Sequence, residues 1–189
     1  MTGKRGFAII LAAMAAASGS ALAQGAAPFT LTSTSFKDGA MMNKKHAGAP
    51  SSNPNCVGEN VSPQLSWSNA PAGTKSFVLT MVDPEGRGGA GVYHWVAYGI
   101  PPDVTSFAEG EVSKESPKYV GGKSTQGVPN YSGPCTPPGT PHHYTFVVMA
   151  TDFELKELAP GLTLPELWAK LPGRGKVAAG IVGMFVKPQ

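Results

Sequence analysis

Two adjacent histidines stand where a loop rich in proline and glycine gives way to an apolar run. Residues 130–148 read NYSGPCTPPGTPHHYTFVV, so His142 and Tyr144 open a predicted strand. Side chains alternate across a strand, so these two share one face and His143 points the other way. If the apolar residues that follow on their face lie in the core, the imidazole and the phenol lie at its rim.

Two further polar groups interrupt apolar runs earlier in the chain. Asp83 ends SFVLTMV and precedes a proline, and His94 lies inside VYHWVAYGI. By strict alternation His94 shares a face with Val96 and Tyr98. We expect Asp83 and His94 to meet His142 at one end of the fold, because an inward-looking polar cluster of this kind is what a small pocket requires.

These residue types suit the binding of an oxyanion. Imidazole, phenol and the backbone N–H groups of a rigid loop are all donors to a phosphate-sized anion. Asp83 is an acceptor, which could fix a histidine tautomer or stabilise the charged form of a histidine. The prolines would hold the loop in place before the ligand arrives and so reduce the ordering cost of binding.

Other interpretations of the same residues remain open. Taken singly, each could be an ordinary structural residue, such as a satisfied strand histidine or a turn-starting aspartate. Asp83, His94 and His142 could also form a two-histidine, one-carboxylate metal site, although no HExxH motif supports one. A serine hydrolase needs an activated serine, and Ser132 lacks the GxSxG pattern. We therefore expect no metal ion, no cofactor and no catalytic residue.

The N-terminal residues have the pattern of an export signal. Lys4 and Arg5 precede the apolar run Phe7–Ala17, and SGSALA then ends in a small-x-small pattern. This predicts a signal peptide, residues 1–23, cleaved after Ala23, and a single domain over residues 24–189. The alternative is an uncleaved membrane anchor, but the apolar run is short for a bilayer span. The predicted location is therefore periplasmic or secreted, with no membrane-spanning segment after cleavage.

Composition narrows the class of partner. Hydrophobic residues make up 41% of the 189 residues and charged residues 14%, so the chain can build a core but carries few charges. The net charge is +3; without Lys4 and Arg5 the chain keeps 13 basic and 12 acidic residues, a net charge of +1. A near-neutral body gives no reason to expect nucleic acid as a partner.

The two cysteines, Cys56 and Cys135, both lie in loops rich in glycine and proline. An even count in an exported protein suggests one disulfide. Two free thiols are the alternative. A metal site built on this pair is not expected, because the sequence has no CxxC spacing.

Short apolar segments separated by turns predict a mostly β fold. Thr163 and Glu166 form a capping box before the one predicted helix, and Leu164, Leu167, Trp168 and Leu171 give it one apolar stripe. Several strands and one late helix indicate a β-sandwich with a short C-terminal helical attachment, with a closed barrel as the alternative. The predicted segments are strands at 29–36, 61–67, 76–82, 92–100, 144–150 and 177–187, and the helix at 163–171.

Four motifs in this order carry a resemblance to a known family. They are NVSPQLSW (60–67), APAGTKSFVLTMVDP (70–84), HW at 94–95 followed by IP at 100–101, and GPCTPPGTPHHY (133–144). Together they closely resemble the phosphatidylethanolamine-binding protein family, in its bacterial branch of Raf kinase inhibitor-like proteins. The resemblance extends over roughly 29–187.

The resemblance implies a β-sandwich with an anion pocket at one end. By motif position, Asp83 takes the family's DP-loop aspartate, His94 its strand histidine, and His142 and Tyr144 the ends of its HxY motif. Gly133 and Pro134 take the start of the pocket loop. Bacterial relatives carry cysteines at positions like those here, so the resemblance implies that a Cys56–Cys135 disulfide clamps the pocket rim; closing a loop of some eighty residues would stabilise the fold by roughly 4 kcal/mol.

Two departures from the family pattern stand out. The family's DP loop is usually DPDAP-like, whereas here it reads DPEGRGGAG, with Glu85 in place of the second acid and no second proline. This puts the ligand contacts of that loop in doubt. The family's HRY is here HHY, with His143 in place of arginine; because that position faces away from the pocket, we expect little effect on anion binding.

Three functions are compatible with this sequence. The first is an exported binding module for a phosphate- or carboxylate-type anion, such as a phospholipid headgroup or a phosphorylated group. The second is a hydrolase or another enzyme acting on a phosphorylated substrate with His94 and His142 as acid and base. The third is a regulator of a protein target, like the kinase or protease inhibitors of the family. The resemblance also implies homodimers among bacterial relatives, which no feature of this sequence decides.

Overall fold

The protein, seen in a computed structural model, is described for Thr2 and residues 27–189. The predicted signal peptide therefore lies outside the described residues. The strands are β1 (Thr30–Thr32), β2 (Ala40–Met41), β3 (Leu65–Ser68), β4 (Ser76–Asp83), β5 (Val92–Ile100), β6 (Ser106–Phe107), β7 (Val120–Gly121), β8 (His142–Thr151) and β9 (Gly175–Phe185). The helical segments are a 3-10 turn (Lys44–His46), α1 (Gly86–Gly89) and α2 (Leu164–Trp168).

The strands form two sheets. The small sheet has the order β1-β3-β6, and the large sheet has the order β2-β9-β8-β4-β5-β7. All pairs are antiparallel except β2 with β9. The mostly β fold with a short helical attachment is thus confirmed.

One face of the large sheet packs against the small sheet. Along β8, Tyr144, Phe146 and Val148 are buried in the same cluster as Trp67 and Phe107 of the small sheet. Alternation along β8 therefore places the predicted rim residue Tyr144 on the core face, as expected. Burying each such side chain contributes about 1.5–3 kcal/mol to folding.

The opposite face of the large sheet carries α2. Leu164 and Leu167 are fully buried there against Val78 and Val96. The predicted capping box is confirmed, because the Thr163 side chain accepts from the Glu166 backbone and the Glu166 side chain accepts from the Thr163 backbone. The helix itself ends at Trp168, three residues earlier than predicted.

The predicted strands of the small sheet are shortened by local polar chemistry. Ser33 Oγ accepts from the Ser35 backbone N–H and donates to the Gln64 carbonyl, which ends β1 after Thr32. The other predicted strand starts at Leu65 rather than at residue 61, after a proline that cannot donate to a ladder.

None of the helices in the described part of the chain has the length and apolarity needed to span a membrane.

Candidate anion-binding site

A cavity of about 250 Å³ opens at the end of the large sheet where β4 stops and β8 starts. Four of the residues predicted from the sequence line it: Asp83, His94, His142 and Tyr144. Residues far apart in the sequence therefore meet in one recess.

Asp83 and His142 form a part-buried pair at the cavity wall. The His142 Nδ1 lies 2.8 Å from Asp83 Oδ2, and the side chain of Asp83 is only 5% exposed. The second carboxylate oxygen accepts from the Gly86 backbone N–H at 2.9 Å. Because a carboxylate only accepts, His142 must carry its proton on Nδ1, so Asp83 fixes the tautomer and orientation of this ring.

A β-bulge turns His94 toward the cavity. Met81 pairs with Trp95, but the next residue of β4, Val82, pairs with Tyr93, so His94 is an extra residue with no partner. Such an insertion re-aims the side chain that it carries.

The expectation that His94 shares a face with Val96 and Tyr98 is therefore wrong. Val96 and Tyr98 pack under α2 on the opposite face, whereas the His94 ring meets the ring of Tyr144 edge to face at 5.1 Å between centroids.

The environment of His94 favours its neutral form. Its Nδ1 lies 2.8 Å from the Ser132 carbonyl oxygen, so Nδ1 bears the hydrogen. Burial lowers the pKa of His94, and the Ser132 carbonyl and the charge of Asp83 only partly offset this.

Tyr144 remains a protonated phenol in this site. Burial raises the pKa of Tyr144 well above its ordinary value. Its hydroxyl lies 2.5 Å from the buried Thr136 Oγ1, and both residues line the cavity. One of the two hydroxyls donates to the other, so the pair keeps one hydroxyl hydrogen that can be donated to a ligand oxygen.

Gly133 and Pro134 do not line the cavity, although the sequence motif pointed to them. The Gly133 N–H is already donated to Asn60 Oδ1 at 2.7 Å, and a proline has no backbone N–H. An added Cβ at Gly133 would lie 2.2 Å from the His46 carbonyl oxygen. This glycine is therefore needed for close packing of the loop against the segment that starts at His46.

The two residues that follow line the cavity instead, and their backbone N–H groups are unpaired within the described part of the chain. Cys135 and Thr136 both line the cavity, and within residues 27–189 neither backbone N–H has a hydrogen-bond acceptor. Proteins hold anions at concave sites made of successive backbone N–H groups, so this segment is a candidate for such a site.

The disulfide between Cys56 and Cys135 is present, as expected, with a Cα–Cα distance of 4.4 Å. It ties the cavity wall at Cys135 to the loop that carries Asn53, which also lines the cavity. The bond therefore joins two segments of the rim.

Sequence reasoning missed Arg87, which lines the cavity from α1. Arg87 has φ 55° and ψ 39°, in the left-handed region that non-glycine residues rarely occupy. It makes no ion pair with any residue in 27–189. The arginine within the unusual DPEGRGGAG sequence was the available signal, because an unpaired cation beside a pocket suits an anionic ligand.

The altered DP loop is anchored by the altered HxY motif. Glu85 Oε1 lies 2.6 Å from His143 Nδ1, and Glu85 Oε2 accepts from the His143 backbone N–H at 3.2 Å. Both side chains are exposed, and neither lines the cavity. The two departures from the family pattern are thus partners of each other.

The structure also tests the alternative of a metal site at Asp83, His94 and His142. The group whose ligand atoms approach within 4.8 Å of one another is Asp83, Glu85 and His142, so Glu85 stands where the sequence suggested His94. Both carboxylates already accept hydrogen bonds from histidines. We assign no metal ion to this group.

A larger cavity of about 410 Å³ lies on the α2 side of the sheet. It is lined by apolar side chains and threonines, including Val78, Val147 and Trp168, and by no ionisable residue. Of these two cavities, only the smaller one therefore carries the predicted polar residues.

The fold and its cavity define a β-sandwich with a polar recess at the end of its large sheet. Residues 32–185 match the sequence pattern of the family described as phosphatidylethanolamine-binding protein. The chain belongs to this family, as its motifs indicated.

Several relatives support this assignment. The UPF0098 protein YbcL of Escherichia coli K12 is 37% identical over 134 residues, 68% of this chain and 72% of its own. A UPF0098 protein of Aquifex aeolicus is 34% identical, over 85% of this chain and 90% of its own. LppC of Mycobacterium tuberculosis H37Rv, which its name assigns provisionally to the lipoproteins, is 34% identical, over 86% of this chain and 75% of its own.

Two solved structures share the fold. The crystal structure of Escherichia coli YbcL, described as a member of the mammalian PEBP family, has a TM-score of 0.75 and 31% identity, over 85% of this chain and 99% of its own. A phosphatidylethanolamine-binding protein homologue of Chlamydia trachomatis has a TM-score of 0.71 and 32% identity, over 85% of this chain and 98% of its own.

Proposed function

We propose that this protein is an exported module that binds a small phosphate- or carboxylate-type anion in the cavity at the end of the large sheet. The observation that carries the proposal is that Cys135 and Thr136, whose backbone N–H groups have no acceptor within residues 27–189, line the same recess as His94, His142 and Arg87. Backbone amides, imidazoles and a guanidinium are the groups that proteins use to hold anionic oxygens.

The size of the cavity also supports a headgroup-sized ligand. A volume of about 250 Å³ lies below the range of about 300–1,000 Å³ for drug-sized ligands. A phosphoryl group with a short substituent suits such a recess better than an intact lipid.

The test is a titration of the full mature chain with inorganic phosphate and with phosphorylethanolamine, followed by NMR of the histidine side chains. Binding should shift the signals of His94 and His142 and leave those of the exposed His143 nearly unchanged. The His94→Ala variant should lose the response. Unchanged histidine signals at millimolar ligand would refute the proposal, and a crystal soaked in phosphate would show the occupant directly.

An enzyme is the second candidate, and the Asp83–His142 pair is what favours it. A carboxylate that orients an imidazole is part of many acid–base catalysts. The names of the relatives given above mention no enzyme activity. Steady turnover of a phosphorylated substrate, lost in His142→Ala, would favour this function over simple binding.

A regulator of a protein target is the third candidate. Such a protein would act through surfaces around the pocket rather than through the anion itself. Protease inhibition that survives both His94→Ala and His142→Ala would favour this function and would leave the cavity without a role in it.

Export is part of the proposal. The leader-like residues 1–23, the disulfide between Cys56 and Cys135 and the name of the Mycobacterium tuberculosis relative all agree with an oxidising compartment. Mass spectrometry of the protein recovered from a bacterial periplasm should give a chain that begins at Gln24. A chain that retains residues 1–23 would contradict cleavage.

A further inference from the structure

The hydrogen bonds of His94 leave one ring nitrogen facing the ligand site. Nδ1 is committed to the Ser132 carbonyl oxygen at 2.8 Å. Within residues 27–189, Nε2 has no hydrogen-bond partner, yet the ring lines the cavity. Nε2 is therefore the atom of this ring that a ligand would meet.

In the ligand-free protein this nitrogen is an acceptor. His94 is 3% exposed, and burial lowers the pKa of its imidazole, so the neutral ring presents a lone pair at Nε2. A lone pair cannot donate to an anion, and it repels a fully deprotonated oxygen.

Among residues 27–189, no neighbouring charged or titratable group already donates to this nitrogen. From β4, Asp83 faces it but is engaged with His142 of β8 and the Gly86 N–H. From β8, the Tyr144 ring packs edge to face against the His94 ring, and its hydroxyl is bonded to Thr136. From α1, Arg87 lines the same cavity, and Glu85 beside it is bonded to His143.

We propose that the anion binds together with one proton, which occupies the hydrogen bond between His94 Nε2 and one ligand oxygen. This inference rests on the proposed anion binding and specifies its ligand class. The favoured ligand is a phosphate monoester or another anion with an ionisable O–H group. When the free ligand is fully deprotonated, solvent supplies the proton.

The consequence is a defined pH dependence of affinity. A phosphate monoester loses its second proton near pH 6. Well above that pH neither the free ligand nor free His94 holds the shared proton, so affinity should fall about tenfold for each pH unit. Below about pH 6 the ligand brings the proton itself, and the dependence should flatten.

Calorimetry of the mature chain with phosphorylethanolamine tests this inference. Titrations at about pH 8 in two buffers of different ionisation enthalpy should show uptake of about one proton per bound ligand. Equal binding enthalpies in the two buffers, together with an affinity that does not change between about pH 7.5 and about pH 8.5, would overturn the inference. That outcome would leave the proposed function standing, whereas no binding at any pH would remove the proposed function.

A matched pair of variants locates the proton. The amide nitrogen of glutamine in His94→Gln lies near the position of Nε2 and donates without taking up a proton, so this variant should bind with a pH-independent affinity. His143→Gln changes a histidine outside the cavity and should keep the native dependence. If His94→Gln also keeps the native pH dependence of affinity, the proton lies elsewhere and the assignment to His94 is refuted. If His94→Gln does not fold, the ¹⁵N shift of Nε2 in the native protein, with and without ligand, decides the same question.

Discussion

Removal of the disulfide should destabilise the protein by several kcal/mol. The Cys56–Cys135 bond closes a loop with a sequence separation of 79 residues. In the chain-entropy model, cross-linking a loop of this length stabilises the native state by about 4.5 kcal/mol at 25 °C, because it restricts the unfolded chain. We expect the double variant Cys56→Ala/Cys135→Ala to lose about 3–5 kcal/mol of unfolding free energy, a large part of the stability of a typical domain.

Guanidinium unfolding monitored by tryptophan fluorescence measures this loss. The native chain unfolded in reductant is the matched control, because it removes the bond without removing the sulfur atoms. The double variant and the reduced native chain should lose the same unfolding free energy, because the calculated effect lies in the unfolded chain and not in the packing of Sγ. A loss below about 1 kcal/mol would show that the unfolded chain is already compact or that the closed bond is strained.

The same variant should also bind phosphate more weakly. Cys135 lines the cavity, and its bond ties the segment with the free N–H groups to the loop that carries Asn53. Without the bond, both segments must be ordered when the ligand binds, which costs affinity. An unchanged phosphate affinity at a pH and temperature where the variant is fully folded would refute the view that the disulfide organises the rim.

Three further predictions follow from particular contacts. Gly133→Ala should lower Tm and reduce the unfolding free energy by about 1–3 kcal/mol, because its Cβ would meet the His46 carbonyl oxygen at 2.2 Å. Gly175→Ala is the control and should lose less unfolding free energy, because its Cβ would meet a flexible methionine side chain at 3.1 Å. Equal losses in the two variants would contradict the packing role of Gly133. Arg87→Gln should leave Tm unchanged but weaken phosphate binding about twofold to fivefold at low salt. The difference in affinity between the variant and the native protein should shrink at high salt, because salt screens the charge. A loss of affinity that does not depend on salt would contradict a charge effect. In the absence of phosphate, the unfolding free energy should fall as the pH drops below about 6.5, by at most about 1.4 kcal/mol per pH unit for each of His46 and His94. The reason is that burial lowers the pKa of both rings in the folded protein, so the unfolded chain binds more protons. An unfolding free energy that stays constant from pH 7 to 5 would refute this prediction.

The sequence was informative where one local rule decides the structure. Short apolar runs bounded by turn residues predicted β4, β5 and β8, and the Thr163–Glu166 pair marked the start of α2. Side-chain alternation within β8 placed Tyr144 on the core face of that strand. Periodicity and capping depend on neighbouring residues only, so a single sequence contains them.

The remaining features depend on pairings between distant segments. The inward turn of His94 results from the register of β5 against β4, which alternation within β5 alone predicts wrongly. The packing role of Gly133 depends on the His46 carbonyl oxygen 87 residues away. The Glu85–His143 pair likewise joins two loops, and neither loop alone indicates its partner.

The extra residue in β5 makes the length of this strand as important as its composition. If the chain lost Tyr93, His94 would pair with Val82 in a regular ladder and would take the position of Tyr93, whose side chain packs on the α2 side of the sheet instead of in the recess. Among relatives, a gap at this point would therefore abolish the pocket even where every motif letter is kept. Counting residues across this short interval is a sharper criterion for a functional pocket than matching the histidine itself.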